Sequence, residues 1–501
     1  MLLGIDLGTS SLRAAVVDEE GRIRGLGSRD YGIDSPRPGW AEQSPDVWWQ
    51  AAVAAVRGAL RQSRTSPSAI TGIGLSGQMH GTVLVDDADW ALAPAIIWAD
   101  SRSAAQAVSI NGALGDERLA ATVGNRVSPG FMAATLAWLR DERPKLLARS
   151  RYALLPKDYL RYFLTGQAAS EPSDASASLL FDITRLAWSP ELASAAGVDV
   201  KLLPPLIPAA GLAGRLRAEA AEELGLRTGT PVVAGAGDQA AQAIGNGVVG
   251  ERLASATIGT GGQVLQPTGR PAVDRQLRVH CFCHAVPGTW FLMAAMLSAG
   301  LSLRWWRDVL DLPAGDAYER LDAEAGQAPL GAEGLLFLPY LLGERTPHMD
   351  ARARGAFVGL SLRHRRGHMA RAIMEGVAFA MREGLSIVTT LAGRPEQVIA
   401  SGGGAKSALW RQIQADVFGL PIATVAGEER AVVGAAMLAG IGTGAFDGYE
   451  EARQACVRHG PVVLPDPAGS ATYDAMFDLY RSLYPALRDH LHALSDLVSA
   501  A

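Results

Sequence analysis

The chain opens with Leu2-Leu3-Gly4-Ile5-Asp6-Leu7-Gly8-Thr9-Ser10-Ser11-Leu12-Arg13-Ala14-Ala15-Val16-Val17. An apolar strand reaches the carboxylate of Asp6, turns through Gly8, Thr9 and Ser10, and returns as a second strand. Exposed backbone N–H groups in such a turn can hold the phosphates of a nucleotide beside a metal-holding acid. The same residues would also form an ordinary β-hairpin with a glycine turn. This stretch alone leaves both interpretations open.

The same pattern occurs a second time. Residues 255–265 read as a strand, a turn made of Gly259, Thr260 and Gly261, and another strand. Two related units predict two lobes, each with a phosphate loop, and a cleft between them. We place the boundary near residues 245–250, so that the N-terminal lobe comprises residues 1–245 and the C-terminal lobe residues 246–501.

A third glycine run has a different character. Ser401-Gly402-Gly403-Gly404-Ala405-Lys406-Ser407 follows a short apolar strand and precedes a helical pattern. Residues without a Cβ would let a purine or ribose approach the backbone at Gly403 and Gly404, with Ser407 close by. The run is not a P-loop, because Ala405 stands where that motif requires glycine before Lys-Ser.

Composition is typical of a large enzyme. The 501 residues exceed what one hydrophobic core usually organises, so about two to four domains are expected. The net charge of −5 offers no basic footprint for nucleic acid or for an anionic membrane. No apolar run approaches the roughly 18 residues of a membrane span, and the start lacks a basic signal-peptide region. We therefore expect a cytoplasmic protein without nucleic-acid or membrane partners.

The three cysteines are too few for a disulfide framework, which indicates a reducing compartment. Two of them lie in His280-Cys281-Phe282-Cys283-His284, which offers four metal-ligand side chains within five residues. Structural zinc sites normally space their paired cysteines by about two to four residues and recruit a distant second pair. The alternation favours a strand with thiols and imidazoles on opposite faces.

Two further strand ends carry polar side chains. The buried strand at Ile70–Leu75 is followed by Gly77-Gln78-Met79-His80-Gly81, and the strand that starts at Pro231 delivers Asp238 after a glycine turn. Loops at strand ends of open α/β sheets are the usual place for ligands. The tail from Ala471 to Leu497 reads as an amphipathic helix that packs through Met476, Leu479, Tyr480, Leu483 and Leu487, with a kink or break at Pro485.

One motif in the second half resembles a family signature. Gly355-x-Phe357-x-Gly359-Leu360, seven residues, then His368-Met369-x-x-Ala372-Ile373-Met374-Glu375 is similar to the signature of the FGGY carbohydrate kinases. A second signature is matched in part at Phe131–Glu142, where Thr135 replaces the usual lysine. The resemblance spans the whole chain. It implies an α/β fold of actin and hexokinase type, with two ribonuclease H-like domains around a central cleft.

Within that family, the loop at residues 77–81 together with Trp98-x-Asp100-x-Arg102 is similar to the xylulokinases. The resemblance implies phosphorylation of D-xylulose, with Met79 and His80 on the sugar and with Asp100 and Arg102 supporting its polar end. One departure lies in the substrate lobe, where Gln239 follows Asp238 in place of the usual asparagine. A longer amide there could reshape the sugar pocket.

The resemblance also implies the chemistry. ATP and Mg²⁺ would bind in the cleft, with Asp6 near the metal and Asp238 as general base on the terminal sugar hydroxyl. The two Gly-Thr turns would hold the phosphates, and residues 403, 404 and 407 would face the adenosine. The partners are then a sugar and ATP, and a homodimer is compatible with the pattern.

Three other interpretations stay open. The substrate could be ribulose, a hexulose or a sugar alcohol. A filament-like or chaperone-like ATPase would keep the phosphate loops but would need no sugar loop. A sugar-binding regulator with an inactive site is disfavoured, because both Asp6 and Asp238 are present.

Overall fold

The computed structural model describes residues 1–313 and 315–499. Its strands, in chain order, are β1 Leu2–Leu7, β2 Ser11–Val17, β3 Ile23–Asp30, β4 Glu42–Gln43, β5 Gly72–Gly77, β6 Val83–Val85, β7 Ala95–Ile96, β8 Tyr152–Leu154, β9 Phe181–Asp182, β10 Ala187–Trp188, β11 Leu212–Arg215, β12 Pro231–Val233, β13 Ala236–Gly237, β14 Leu253–Ile258, β15 Gly262–Thr268, β16 His280–Cys283, β17 Trp290–Met296, β18 Leu336–Leu338, β19 Ala356–Val358, β20 Gln397–Ser401 and β21 Ile422–Thr424.

The helices between these strands are α1 Pro45–Ser63, α2 Ala104–Thr122, α3 Met132–Glu142, α4 Pro144–Ala148, α5 Pro156–Thr165, α6 Pro172–Ala177, α7 Pro190–Ala196, α8 Ala218–Leu224, α9 Asp238–Gly245, α10 Gly300–Val309, α11 Ala317–Gln327, α12 Arg366–Ala392, α13 Ala408–Phe418, α14 Arg430–Gly442, α15 Tyr449–Cys456 and α16 Pro467–Ser499. Short 3₁₀ turns lie at Pro67–Ala69, Val200–Leu202, Leu330–Gly334 and Gly403–Lys406. Within the described residues, no helix is long and apolar enough to cross a bilayer.

Two large sheets share a core of five strands, in which β12-β5-β1-β2-β3 corresponds to β21-β20-β14-β15-β17. The first has the order β11-β12-β5-β1-β2-β3, with β13 also paired to β5, and the second has the order β16-β17-β15-β14-β20-β21. In each sheet an antiparallel hairpin built on a phosphate-loop candidate, β1–β2 or β14–β15, lies beside a parallel strand, β5 or β20. The matching order confirms the predicted two-lobed α/β fold with duplicated domains.

Helices cover both faces of the first sheet. Helix α1 packs on β2 and β3, and its start is capped, because the Ser44 hydroxyl accepts from the Asp46 N–H and Pro45 is the first helical residue. Helix α14 comes from the second half of the chain but packs on β1 and β5. A Cβ at Gly4 or Gly74 would overlap backbone carbonyls of α14, so glycine permits this close approach.

Helices α9 and α14 cross where the two halves of the chain meet. A Cβ at Gly245 would overlap the carbonyl of Arg430, and one at Gly434 would overlap the carbonyl of Ala241. Each helix thus contributes a glycine to the crossing. Helix α9 also reaches the second sheet, because the Gln242 amide donates to the Thr257 hydroxyl at 3.1 Å. The crossing therefore ties the two sheets together.

The segment with alternating histidine and cysteine is a strand, as predicted. Cys281 and Cys283 are fully buried on one face of β16, whereas His280 and Phe282 stack on each other on the opposite face. Across the described part of the chain, no group of three or more His, Cys, Asp or Glu side chains is arranged as a metal site.

The C-terminal helix was predicted to kink or break at Pro485. It does not break there: α16 runs through the proline as one helix, with Tyr480, Tyr484 and Leu491 buried on either side of it. Leu479 was assigned to the packed face, and this is wrong, because 61% of its surface is exposed. The buried stripe instead includes Phe477 in its place.

Candidate active site

Three parallel strands end at one edge of the first sheet, and two carboxylates lie at this edge. Asp6 on β1 is in register with Ser76 on β5, and Ser76 is in register with Ala236 on β13. Gly237 ends β13, and Asp238 is the first residue of α9. The sheet register therefore brings Asp6 and Asp238, which are 232 positions apart in the sequence, to the same end of the two strands that flank β5.

The surroundings of Asp238 suit a base that works near neutral pH. Burial, with a contribution from the negative charge of Asp6, raises the pKa of Asp238 to about 7. Hydrogen bonds from Gln239 oppose this rise. A carboxylate with a pKa near the working pH can accept a proton and release it again without a large free-energy cost.

Asp6 is held between the two halves of the chain. The Ser76 hydroxyl donates to Asp6 Oδ1 at 2.8 Å. Burial raises the pKa of Asp6, and the charge of Glu429 acts in the same direction. Glu429 immediately precedes α14 and forms an ion pair with Arg13 at 2.5 Å. The start of α14 is thus fixed beside Asp6.

The first phosphate-loop candidate is a tight, braced turn. The Gly8 N–H donates to the Ser11 carbonyl at 3.0 Å, and the Tyr31 hydroxyl donates to the Gly8 carbonyl at 2.6 Å. The Trp98 indole N–H donates to the hydroxyl of Thr9 at 2.9 Å. Ser10 is exposed at the tip. The turn presents its tip at the sheet edge that carries Asp6.

The second candidate has equivalent bracing. The Gly259 N–H donates to the Gly261 carbonyl at 3.0 Å, and the carbonyl of Thr260 accepts from the backbone N–H groups of Ala299 and Leu301. The Thr260 hydroxyl accepts from the guanidinium of Arg304 at 3.2 Å. The start of α10 therefore holds this turn through Thr260.

The third glycine run is open at one position only. A Cβ at Gly404 would crowd the Ile258 side chain, and one at Gly402 would approach the Ile258 carbonyl. At Gly403 the nearest atom would be 3.9 Å away. Ser407 caps α13, because its hydroxyl accepts from the Trp410 N–H and donates to Asp322. Gly403 is thus the place where a flat group can approach the backbone, while the Ser407 side chain is committed to the cap.

The loop that follows β5 forms one wall of the cleft. His80 adopts a φ of 75°, its Nδ1 lies 2.8 Å from the Ala177 carbonyl, and its ring stacks on Phe131 at 3.7 Å. Burial lowers the pKa of His80 to about 3, so the ring is neutral at pH 7. Met79 is buried against Gly237, the residue before Asp238. The sugar-loop candidates therefore lie beside the candidate base.

Asp100 and Arg102 mainly contact each other and their own lobe. Asp100 is buried and accepts from the Ala41 N–H at 2.6 Å, and Arg102 pairs with Asp100 and with Glu42. The guanidinium also lies 3.5 Å from the ring centre of Trp40. These contacts brace the turn that carries Trp98, and they use most of the donors and acceptors of the pair.

A buried ionic cluster lies beneath Asp238, and the sequence did not reveal it. Its members are fully buried and carry two positive and three negative formal charges: Lys157, Arg161, Asp158, Glu171 and Asp174. The Lys157 ammonium and the Arg161 guanidinium share Asp158 Oδ1 at 2.6 and 2.7 Å. Burial raises the pKa of Asp174 well above its ordinary value, which favours its neutral form.

This cluster is connected to the backbone of the candidate base. The Ser173 hydroxyl donates to Glu171 Oε1 at 2.8 Å and accepts from the Gly237 N–H at 3.1 Å. The Arg161 guanidinium donates to the carbonyl of Ala234 at 3.2 Å. Both ends of the short turn before Asp238 are thereby fixed.

Known proteins resemble both halves of the chain. A model of the N-terminal domain of the FGGY family of carbohydrate kinases matches residues 1–245, and that of the C-terminal domain matches residues 254–443. The xylulose kinase of Bacillus subtilis (strain 168) is 35% identical over 488 residues, covering 97% of this chain and 97% of that protein. That of Escherichia coli (strain K12) is 36% identical over 491 residues, covering 97% and 99%. The crystal structure of xylulose kinase from Rhodospirillum rubrum has a TM-score of 0.91 at 32% identity and covers 98% of this chain and 99% of that one.

Proposed function

Because the chain belongs to the FGGY family of carbohydrate kinases and is therefore an ATP-dependent sugar kinase, we propose that its sugar substrate is D-xylulose and its product D-xylulose 5-phosphate. Relatives named xylulose kinase match nearly the full chain at about 35% identity. The single observation that carries the mechanism is the position of Asp238, which has a pKa of about 7 and lies next to the Met79-His80 wall.

In the proposed reaction, the terminal hydroxyl of the sugar faces Asp238. The carboxylate accepts the hydroxyl proton while the oxygen attacks the γ-phosphorus of ATP and ADP departs. Met79 and the neutral ring of His80 hold the sugar so that the attack is in line. The cluster beneath Asp238 keeps its backbone still during this step.

The nucleotide lies across the cleft. The turns at residues 8–10 and 259–261 hold the phosphates through backbone N–H groups. Gly403 offers its open backbone to the adenosine, Gly404 lies next to it against Ile258, and Ser407 holds the loop through its cap. ATP thus contacts both sheets, whereas the sugar contacts lie mainly in the first half of the chain.

Asp6 would hold Mg²⁺, directly or through water. Magnesium bound with a nucleotide usually takes one or two carboxylates, phosphate oxygens and water, and a single acid beside a phosphate turn fits that donor set. The Ser76 hydroxyl occupies Oδ1 of Asp6. When bound, the ion would neutralise charge on the phosphate oxygens.

The remaining assignments concern support and boundaries. Gln239 would contact the sugar through its amide, and Asp100 with Arg102 would support the polar end of the pocket. The lobes would comprise residues 1–245 and 246–501, with α14 of the second segment packed on the first sheet. A homodimer is compatible with this arrangement.

An ADP-release assay over a panel of ketoses and polyols tests the substrate. The panel contains D-xylulose, ribulose, a hexulose, a sugar alcohol and no sugar. We expect the highest kcat/KM with D-xylulose. A higher value with another sugar would replace the substrate and keep the mechanism, and Gln239 would then be the first residue to exchange for asparagine.

A further inference from the structure

The loop Glu344-Arg345-Thr346 is fixed tightly along the end of β17. The Glu344 carboxylate accepts from the Leu297 N–H at 3.0 Å, and the Thr346 N–H donates to the Ala295 carbonyl at 3.0 Å. The Thr346 hydroxyl donates to the Arg278 carbonyl at 2.8 Å. The backbone of Arg345 therefore has a set position in the second sheet.

The guanidinium of Arg345 has no hydrogen bond and no ion pair with any residue that the structure describes. The neighbouring Glu344 is the acid whose charge acts on it, but Glu344 Oε1 accepts from the backbone N–H groups of Leu297 and Arg345. Burial raises the pKa of Glu344 to about 8, which disfavours its charged form. Burial lowers the pKa of Arg345 itself, in keeping with a cation that is poorly solvated.

The position of this cation follows from the sheet register. On one side, Met296 is paired with Gly262, which directly follows the turn at residues 259–261. On the other side, the Arg278 carbonyl that holds Thr346 lies two residues before His280. Arg345 therefore lies between the turn at residues 259–261 and the rings of His80, His280 and Phe282.

Charge effects on the histidines agree with this position. Burial lowers the pKa of His80 to about 3 and that of His280 to about 4, and the positive charge of Arg345 lowers both further. The guanidinium thus lies near His80 and His280, on the opposite side of the cleft from the loop that follows β5. The groups that face it are two neutral imidazoles and the buried Glu344 carboxyl, and none of the described residues forms an ion pair with it.

A poorly solvated cation without a partner is costly unless a ligand supplies the anion. A neutral ketose does not, whereas the phosphoryl group in transfer carries charge spread over three equatorial oxygens. We propose that Arg345 donates hydrogen bonds to the phosphoryl group as it passes from ATP to the sugar hydroxyl. This inference rests on the proposed function. In the step, the sugar oxygen forms the new bond to phosphorus, ADP leaves with the electron pair of the broken bond, and the proton goes to Asp238.

The test compares Arg345→Ala and Arg345→Lys with the wild type and with Arg352→Ala, which removes a surface guanidinium paired with Asp496. All are assayed on the sugar that the wild type phosphorylates best. For Arg345→Ala we expect kcat to fall at least about 100-fold, the magnitude typical of one lost charge-stabilising donor. The KM values for sugar and ATP should change less than about threefold, because the contact forms in the transition state.

Arg345→Lys should recover part of the lost kcat, and Arg352→Ala should match the wild type. Circular dichroism melts identify a variant that fails to fold, and the lysine variant then carries the comparison. A fall in kcat below about tenfold, with a raised KM for sugar, would overturn the proposal and make Arg345 a ground-state sugar contact. The proposal would also be overturned if the wild type preferred a sugar acid and Arg345→Ala lost only that preference.

The proposed function fails differently. A wild type that prefers another neutral sugar leaves the ratio between variant and wild type measurable on that sugar. A wild type without any sugar-stimulated ADP release overturns the function and the inference together. A preserved xylulose preference with an unchanged kcat in Arg345→Ala overturns the inference alone.

Discussion

Replacing Asp238 by Asn should abolish sugar phosphorylation and also stabilise the protein at alkaline pH. The pKa of this carboxyl rises from 3.8 to about 7 on folding. Between these values the folded state binds more protons than the unfolded state, so the contribution of Asp238 to stability falls as pH rises through this window. At about 1.4 kcal/mol per pKa unit, the penalty above pH 7 reaches about 4 kcal/mol. Asparagine has the same shape but no charge and avoids it.

Urea unfolding of wild type and Asp238→Asn at pH 5 and pH 8 measures this effect. The variant should gain about 2.5–3 kcal/mol relative to the wild type on going from pH 5 to pH 8, because only about two pKa units of the window lie above pH 5. Asp116→Asn is the control, because Arg126 lowers the pKa of Asp116 at the surface. Asp116 is then ionised in the folded and the unfolded state from pH 5 to pH 8, so this variant should differ from the wild type by the same small amount at both pH values. An advantage of Asp238→Asn that does not grow with pH would refute the reasoning.

The kinetics of the wild type check the same group. Below about pH 7, kcat/KM for the sugar should rise about tenfold per pH unit and then level off, because the base must be ionised. Retention of more than about a tenth of wild-type turnover in Asp238→Asn would remove Asp238 from the role of base, since positioned bases contribute about 10²–10⁴-fold.

Three further changes separate the parts of the site. His80→Ala should raise the KM for sugar well above that for ATP in steady-state kinetics, and an unchanged sugar KM would make His80 structural. Gly403→Val should weaken ATP binding in a calorimetric titration and leave sugar binding intact, whereas normal ATP affinity would move the adenosine site elsewhere. Lys157→Met should lower the free energy of unfolding in urea by about 3–5 kcal/mol, because it removes a cation that pairs with buried carboxylates. A loss below about 1 kcal/mol would show that the cluster does not depend on Lys157.

Local patterns in the sequence predicted much of the fold. Strand, glycine turn and strand around Gly8 and again around Gly259 indicated two hairpins, and these begin the two sheets with matching order. The capped start of α1 was equally readable, because Ser44 and Pro45 act within one helical turn. Such features depend on neighbouring residues, and the sequence displays them directly.

Long-range contacts were not readable in the same way. The residues around Arg13 and Glu429 do not indicate that these two side chains pair across 416 positions. The packing of α14 on the first sheet depends on Gly4 and Gly74, which in the sequence also fit ordinary strand positions. The cluster around Lys157 assembles from two helices and the turn before α6. Leu479 was misassigned because a helical pattern with several apolar faces does not reveal which face the rest of the chain covers.

The central claim is that the γ-phosphoryl group of ATP is transferred to a sugar hydroxyl held at Asp238. Incubation of the wild type with ATP and D-xylulose labelled with ¹³C at C5, followed by ³¹P and ¹³C NMR of the mixture, tests it most directly. The account predicts one phosphate ester, with the ³¹P signal coupled to the labelled C5 and formed in step with ADP, and no such signal with Asp238→Asn. ADP that forms at the same rate without sugar, with inorganic phosphate as the only phosphorus product, would contradict it.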